Sequence, residues 1–147
     1  MNIDKLRAQL VIDEGQVNKV YLDHLGYPTF GIGHLITDND PEEQMGVGYP
    51  VSEDRVIEAF EKDVQNVIGD CEKLHYPHWE EYPEEVKQVI ANMMFNMGYT
   101  RLNKFKKHNA ALQEENWKEA ATEGRDSRWY KQVTNRAERL MTRLENI

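Results

Sequence analysis

"VIDEGQVNKVYLDHLGYPTFGIGHL", residues 11–35, changes its periodicity partway along. Before it and into it, Leu6, Leu10 and Val11 recur at helical spacing, and Asn2 or Asp4 is placed to cap the start. Gly15 can supply the left-handed residue that ends such a helix. Beyond it, "KVYLD" and "PTFGIGHL" are rich in β-branched and aromatic residues and flank the turn sequence "HLGY", which predicts a β-hairpin or short meander. Two carboxylates stand at the joints: Glu14 in the last helical turn, Asp23 after the first strand. A carboxylate at a helix C-terminus faces the negative end of the macrodipole, so helix stability does not account for Glu14. Gly31 and Gly33 alternate in the second strand, and glycine there marks a close approach of backbone or ligand.

Outward from this stretch the chain turns helical. "TDNDPEEQMGVGYP" reads as a polar loop, and Ser52 caps a helix with Glu53 and Asp54 in its first turn. Its apolar stripe is Val56, Phe60, Val64, Val67 and Cys71, helped by Ile57 and Ile68, and it runs to about Leu74. Pro83 suits the first position of a helix carrying Val86, Val89, Ile90, Met93, Met94 and Met97 and closed by Gly98. Shorter helices are expected over 102–113 and 116–123, with Gly124 as a stop. Thr134 is expected to cap a last helix with Ala137, Leu140, Met141 and Leu144 on one face. The expected fold is α+β, mainly α, in one domain of two lobes. A small β-hairpin or meander lobe (about 15–51) joins, through a long helix (about 52–74), a helical lobe (about 75–147 together with helix 3–14).

Composition narrows the function. The 147 residues are 39 % hydrophobic and 30 % charged, a globular balance, and no apolar run is long enough to span a bilayer. "MNIDKLRAQL" has no signal-peptide character, and one cysteine cannot form an intrachain disulfide, so a reducing cytosol is expected. The net charge of −8 argues against general nucleic-acid binding. The cations are unevenly spread, however: Arg125, Arg128, Lys131, Arg136, Arg139 and Arg143 crowd one segment, while acids crowd "DNDPEEQ" and "EEYPEE". "CEKLHYPHW" offers Cys71, His75 and His78, but there is no second ligand pair at metal-site spacing and Cys71 lies on an apolar stripe. No metal or other cofactor is expected. Trp117, Trp129 and Tyr130 read as packing aromatics.

Glycoside hydrolysis needs two carboxyl groups flanking the scissile bond, one protonated and one ionised. Glu14 and Asp23 are two of 26 acids, and spacing alone is weak support; Thr29 adds a hydroxyl able to orient a water. Glu14, Asp23 and Thr29 together resemble the acid–acid–threonine pattern of the T4-type phage lysozymes. "IDEG", "GYPTFGIGHL", "NMMFNMG" (Asn92–Gly98) and "SRWYKQVTNRAERL" (Ser127–Leu140) resemble that family's motifs in order along nearly the whole chain. The resemblance implies a muramidase that cuts the β-1,4 bond between N-acetylmuramic acid and N-acetylglucosamine of peptidoglycan with inversion. It implies Glu14 as general acid and Asp23 with Thr29 as holders of the water. Arg136 is the counterpart of an arginine that pairs with the catalytic glutamate. The resemblance also implies that His34 pairs with Asp63 as a stabilising contact.

Substrate-binding counterparts are Leu35 and Phe95. His108 and Glu123 stand at two further substrate-binding positions, where the chain departs from the family's serine and asparagine. The loop after Leu35 is short, and the acidic balance is unusual for an enzyme of an anionic wall. The partners implied are peptidoglycan glycan strands, with no nucleic acid and no stable membrane association, and the protein is expected to be a monomer. As a phage endolysin it would wait in the host cytoplasm for a holin and then act on the periplasmic cell wall. The alternatives are a virion-associated lysozyme and a non-catalytic wall-binding member of the fold.

Overall fold

A computed structural model describes residues 1–147. Seven helices and a three-stranded sheet make up the chain: α1 (Ile3–Glu14), β1 (Val17–Leu22), β2 (Pro28–Gly31), β3 (His34–Leu35), α2 (Glu53–Leu74), α3 (Glu84–Asn103), α4 (Lys106–Gln113), α5 (Trp117–Arg125), α6 (Arg128–Gln132) and α7 (Thr134–Glu145). The class is α+β, mainly α, as expected. None of the helices is long and apolar enough to cross a membrane. The chain divides into two compact units, one of residues 7–66 and one of residues 1–6 with 67–147. The division therefore falls inside α1 and α2, so most of α1 goes with the sheet rather than with the helical unit.

In the first unit the sheet is an antiparallel meander, β1-β2-β3. Tyr21 pairs with Thr29 and Thr29 with Leu35, while Phe30 pairs with His34. Directly opposed residues project to one side, so Tyr21, Thr29 and Leu35 form one row and Phe30 and His34 the other. Phe30 and His34 are buried, whereas Leu35 is half exposed. The stripe of α2 packs as expected through Val56, Phe60 and Val64, each such burial being worth about 1.5–3 kcal/mol. Ile57 is exposed instead, because it lies a helical step off that stripe. Val11 is likewise exposed, and only Leu6 and Leu10 anchor α1. The expected caps form: Asn2 Oδ1 accepts from Lys5 N (3.1 Å), Ser52 Oγ accepts from Arg55 N (3.2 Å), and Gly15 takes φ +73°.

In the helical unit α7 packs on α3, α5 and α6, burying Ala137, Leu140, Met141 and Leu144. Gly98 does not end α3. At φ +79° and ψ 166° it kinks the helix, which resumes to Asn103. Thr134 does not cap α7; its hydroxyl donates back to Tyr130 O (2.8 Å), and Val133 takes the cap position without a side-chain bond. Asn116 and Ser127 do cap α5 and α6, accepting from Glu119 N (3.2 Å) and Tyr130 N (3.1 Å). Gly124 is no stop but a buried residue of α5. A Cβ there would stand 2.3 Å from Met141 Sδ. Close approach of α5 and α7 depends on this missing side chain, so Gly124→Ala is expected to cost about 1–3 kcal/mol. Thermal unfolding should show the loss, and Gly124→Ala should cost less in a Met141→Ala background than in the wild type.

Candidate active site

Three expected catalytic residues lie in the unit of residues 7–66. Glu14 ends α1, where no basic residue occupies the last turn. Its carboxyl lies against Gly33: a Cβ on Gly33 would stand 2.7 Å from Glu14 Oε1 and 3.1 Å from its carboxyl carbon. Gly33 also has φ +62°, a conformation strained for other residues. The close approach signalled by the two glycines is therefore made by protein side chains. Glu14 comes against Gly33, and Val56 comes against Gly31.

Asp23 follows β1 and organises the hairpin tip. Its Oδ1 accepts from Leu25 N and Tyr27 N, both at 2.9 Å, and its own backbone N–H donates to Tyr27 O at 2.9 Å. These bonds engage Oδ1 alone, and Oδ2 takes no part in them. Thr29, buried, donates its hydroxyl proton to Tyr27 O at 2.9 Å. The Thr29 oxygen therefore presents lone pairs, able to accept from a water. Both residues are held by the same carbonyl-and-amide pair of Tyr27. Tyr21, the cross-strand partner of Thr29, has its phenol pKa raised by burial first and then by the charges of Glu14 and Asp23. One side chain thus senses both carboxylates. Leu35 lies on the same row, half exposed, beside Thr29. Sequence reasoning missed Tyr21; its signal was the alternation that puts it, two residues before Asp23, on the Thr29 side of the sheet.

His34 sits on the opposite face and supports the meander. Its Nδ1 lies 2.7 Å from Asp63 Oδ2, and its Nε2 lies 2.8 Å from Asp40 Oδ2. The Asp63 contact is the pair expected from the sequence; Asp40 is an addition. Arg55 extends the network. Its guanidinium donates to Asp40 (2.9 Å), bidentately to Glu42 (2.9 Å each) and to Glu58 (2.8 Å), and stacks 5.3 Å over Phe30. A cavity of about 560 Å³ borders this cluster, and its lining includes none of Glu14, Asp23 and Thr29.

The remaining candidates lie in the helical unit. Arg136 Nε donates to Asn92 Oδ1 at 2.9 Å. Phe95 is partly buried on α3. Glu123 and His108 both border a cavity of about 320 Å³. The expectation that His108 touches saccharide is corrected: its ring is 2 % exposed, and Nδ1 donates to Ala120 O at 2.7 Å, tying α4 to α5. Burial pushes its pKa down to about 4.

Two comparisons bear on this geometry. The family model described as phage lysozyme matches residues 12–146. Probable T4-type lysozyme 2 of Dictyostelium discoideum is 30 % identical over 97 % of this chain and 95 % of its own length. Probable T4-type lysozyme 1 of the same organism matches to the same extent. The pre-baseplate central spike protein Gp5 of Enterobacteria phage T4 is 34 % identical over 87 % of this chain, in a match that covers 25 % of that protein.

Two outcomes follow from the site. Gly33→Ala should push the Glu14 carboxyl aside and lower kcat more than it lowers thermal stability. His34→Asn should cost about 2 kcal/mol, the scale of a broken charged hydrogen-bond pair, with a defined pH window. Burial opposes the charge on His34, but its bonds to Asp63 and Asp40 raise its pKa above 6.5. Its contribution is full below 6.5 and is lost as pH rises through the folded value. Asp40 is opposed by burial but held by Thr37 N–H, His34 and Arg55 at about 2, down from 3.8. Its contribution is present above 3.8 and is lost as pH falls through about 2. Melting curves across pH should show the largest His34→Asn deficit between these limits and a shrinking one at alkaline pH.

Proposed function

Because the chain belongs to the phage lysozyme family, we propose that it cleaves the β-1,4 bond between N-acetylmuramic acid and N-acetylglucosamine of peptidoglycan. The family makes it a lysozyme-type glycoside hydrolase. Glu14 protonates the leaving glycosidic oxygen. Asp23 Oδ2 takes a proton from a water whose other hydrogen is held by the Thr29 oxygen, and that water attacks the anomeric carbon. The observation that supports this division most is the joint fixation of Asp23 and Thr29 at Tyr27, which leaves an acceptor on each. Bonds already made in the free protein need not be formed during reaction, and such preorganisation lowers the barrier. Attack from the face opposite the leaving group inverts the anomeric centre, and it requires carboxyl groups roughly 6.5–9.5 Å apart. The exposed side chain of Leu35, beside Thr29, gives a sugar ring an apolar surface to lie on.

The biological role proposed is host lysis as an endolysin, released from the cytoplasm to the wall through a membrane opening made by another protein. The likeness to part of a phage spike protein favours a second reading, a lysozyme acting locally at infection. Turbidity loss of outer-membrane-permeabilised Gram-negative cells tests the enzyme directly. Glu14→Gln and Asp23→Asn should each lower the rate by about 10²–10⁴-fold, the usual contribution of a positioned acid or base. Full activity in Glu14→Gln would remove the assignment. NMR of the first-formed reducing end should show inversion, and a retained anomer would overturn the water-attack geometry.

A further inference from the structure

Two histidines of the helical unit, His75 and His108, lie in its interior, 0 % and 2 % exposed. His75 stands in the turn after α2, where its carbonyl accepts from His78 N and Trp79 N, and its Nδ1 lies 3.1 Å from the Tyr82 hydroxyl. The Tyr82 ring packs edge-on against Trp117, the first residue of α5, with ring centroids 5.7 Å apart. His108, on α4, reaches the same helix directly through Nδ1 and Ala120 O. Both rings therefore bear on α5, one through a tyrosine and one through a backbone carbonyl. α5 in turn lies close on α7 at Gly124.

A neutral imidazole suits both places, and an imidazolium suits neither. A carbonyl oxygen only accepts, so His108 carries its proton on Nδ1 and its Nε2 is a bare acceptor. A second proton would make that Nε2 a buried N–H with nothing to receive it. The Nε2 of His75 is also without a partner. Protonated, His75 would donate from Nδ1 to the Tyr82 oxygen and leave its other N–H bare, whichever tautomer it starts from. Such groups carry a desolvation cost, and a buried charge carries more. No carboxylate pairs with either ring. His75 faces Tyr82, His78 and His108, with Glu115 beyond Tyr82. One turn earlier on α2 the thiol of Cys71 is buried, with Asp70 and Glu72 on either side of it. His108 packs against Phe105, and the depression it borders holds Glu123 and Asp126 among Lys104, Lys106 and Lys107.

Burial accordingly pushes both pKa values down from 6.5 to about 4, and for His75 the neighbouring His108 and His78 act in the same direction. Unfolding therefore takes up protons that the folded unit refuses. The contribution of the pair is whole above 6.5 and is lost as pH falls from 6.5 toward 4. His34, in the unit of residues 7–66, has the opposite sign, since its raised pKa leaves its contribution full below 6.5. The carboxylate clusters act lower still: Glu138, held at about 2, loses its contribution only as pH falls below 4.5. We propose that His75 and His108 form a two-proton latch on α5, which seats the helix while both rings are neutral and loosens the helical unit in mild acid, the unit of residues 7–66 staying ordered.

Hydrogen exchange of the full chain at pH 7 and pH 5, each rate referred to the intrinsic rate at that pH, reads the two units separately. Amides of α4 and α5 should lose about tenfold or more of their protection for each histidine at pH 5, while those of β1, β2 and β3 keep theirs. H75N/H108N retains a group at each Nδ1 position able to bond Tyr82 and Ala120 but takes up no proton in this range. Its protection in α4 and α5 should be level between the two pH values, whatever its absolute stability. Selective 15N labelling of histidine in the wild-type chain needs no variant: of the five rings, at least two should remain neutral in the folded protein at pH 5. Equal wild-type protection of α4 and α5 at the two pH values, an equal loss in the strands, an undiminished pH response in H75N/H108N, or fewer than two neutral rings at pH 5 would each overturn the proposal.

Discussion

His34 held between Asp63 and Asp40 is the contact on which the order of the unit of residues 7–66 depends. One imidazole ties the helix α2 to the loop before it and to the last strand of the meander. Arg55 closes the same loop from the other side through Asp40 and Glu42 while covering Phe30. Buried charges are tolerated there because each has partners, and a partnered cluster is costly to open at one point only. The cluster holds β3, and the residue before β3 is Gly33, against which the Glu14 carboxyl rests. Positioning of the acid is thus linked through one strand to a charged clamp on the far face of the sheet.

The two faces of a sheet of only three strands carry separate tasks. Phe30 and His34 serve stability, while Tyr21, Thr29 and Leu35 form the row beside the carboxylates. A one-residue slip of β2 would exchange the rows and place Pro28 or Phe30 where the Thr29 hydroxyl stands. The hairpin tip guards against this, because Asp23 and Thr29 both bond to the backbone of Tyr27. The groups that shape the loop are the groups proposed to handle the water, so fold and chemistry share the same bonds.

The acidic balance has a structural counterpart as well. Much of the carboxylate excess is spent in clusters around arginines, at Arg55 and Arg125 among others. Glu138 illustrates the second cluster: bonds from Arg125 and then Tyr130 hold its pKa at about 2. Of the cations outside these clusters, Lys104, Lys106, Lys107, Arg128 and Lys131 stand near α4 and α6, while Lys19 and Lys62 stand in the other unit.

Periodicity and local chemistry, by themselves, determined much. The stripe of α2, the meander, the caps at Asn2, Ser52 and Gly15 and the pairing of His34 with Asp63 were legible, the last through family resemblance. Each of these is set by neighbours in sequence or by a motif that carries its own geometry. Tertiary structure decided the rest. Gly124 and Gly98 look like helix stops, yet one is a packing contact under Met141 and the other a kink, because glycine signals a missing side chain without saying what fills the space. Val11 and Ile57 look like core and face solvent, because a helix buries only the stripe its neighbours cover. His108 is buried and Asp40 joins His34 for the same reason: long-range contacts are chosen by the assembled fold, and no local spacing encodes them.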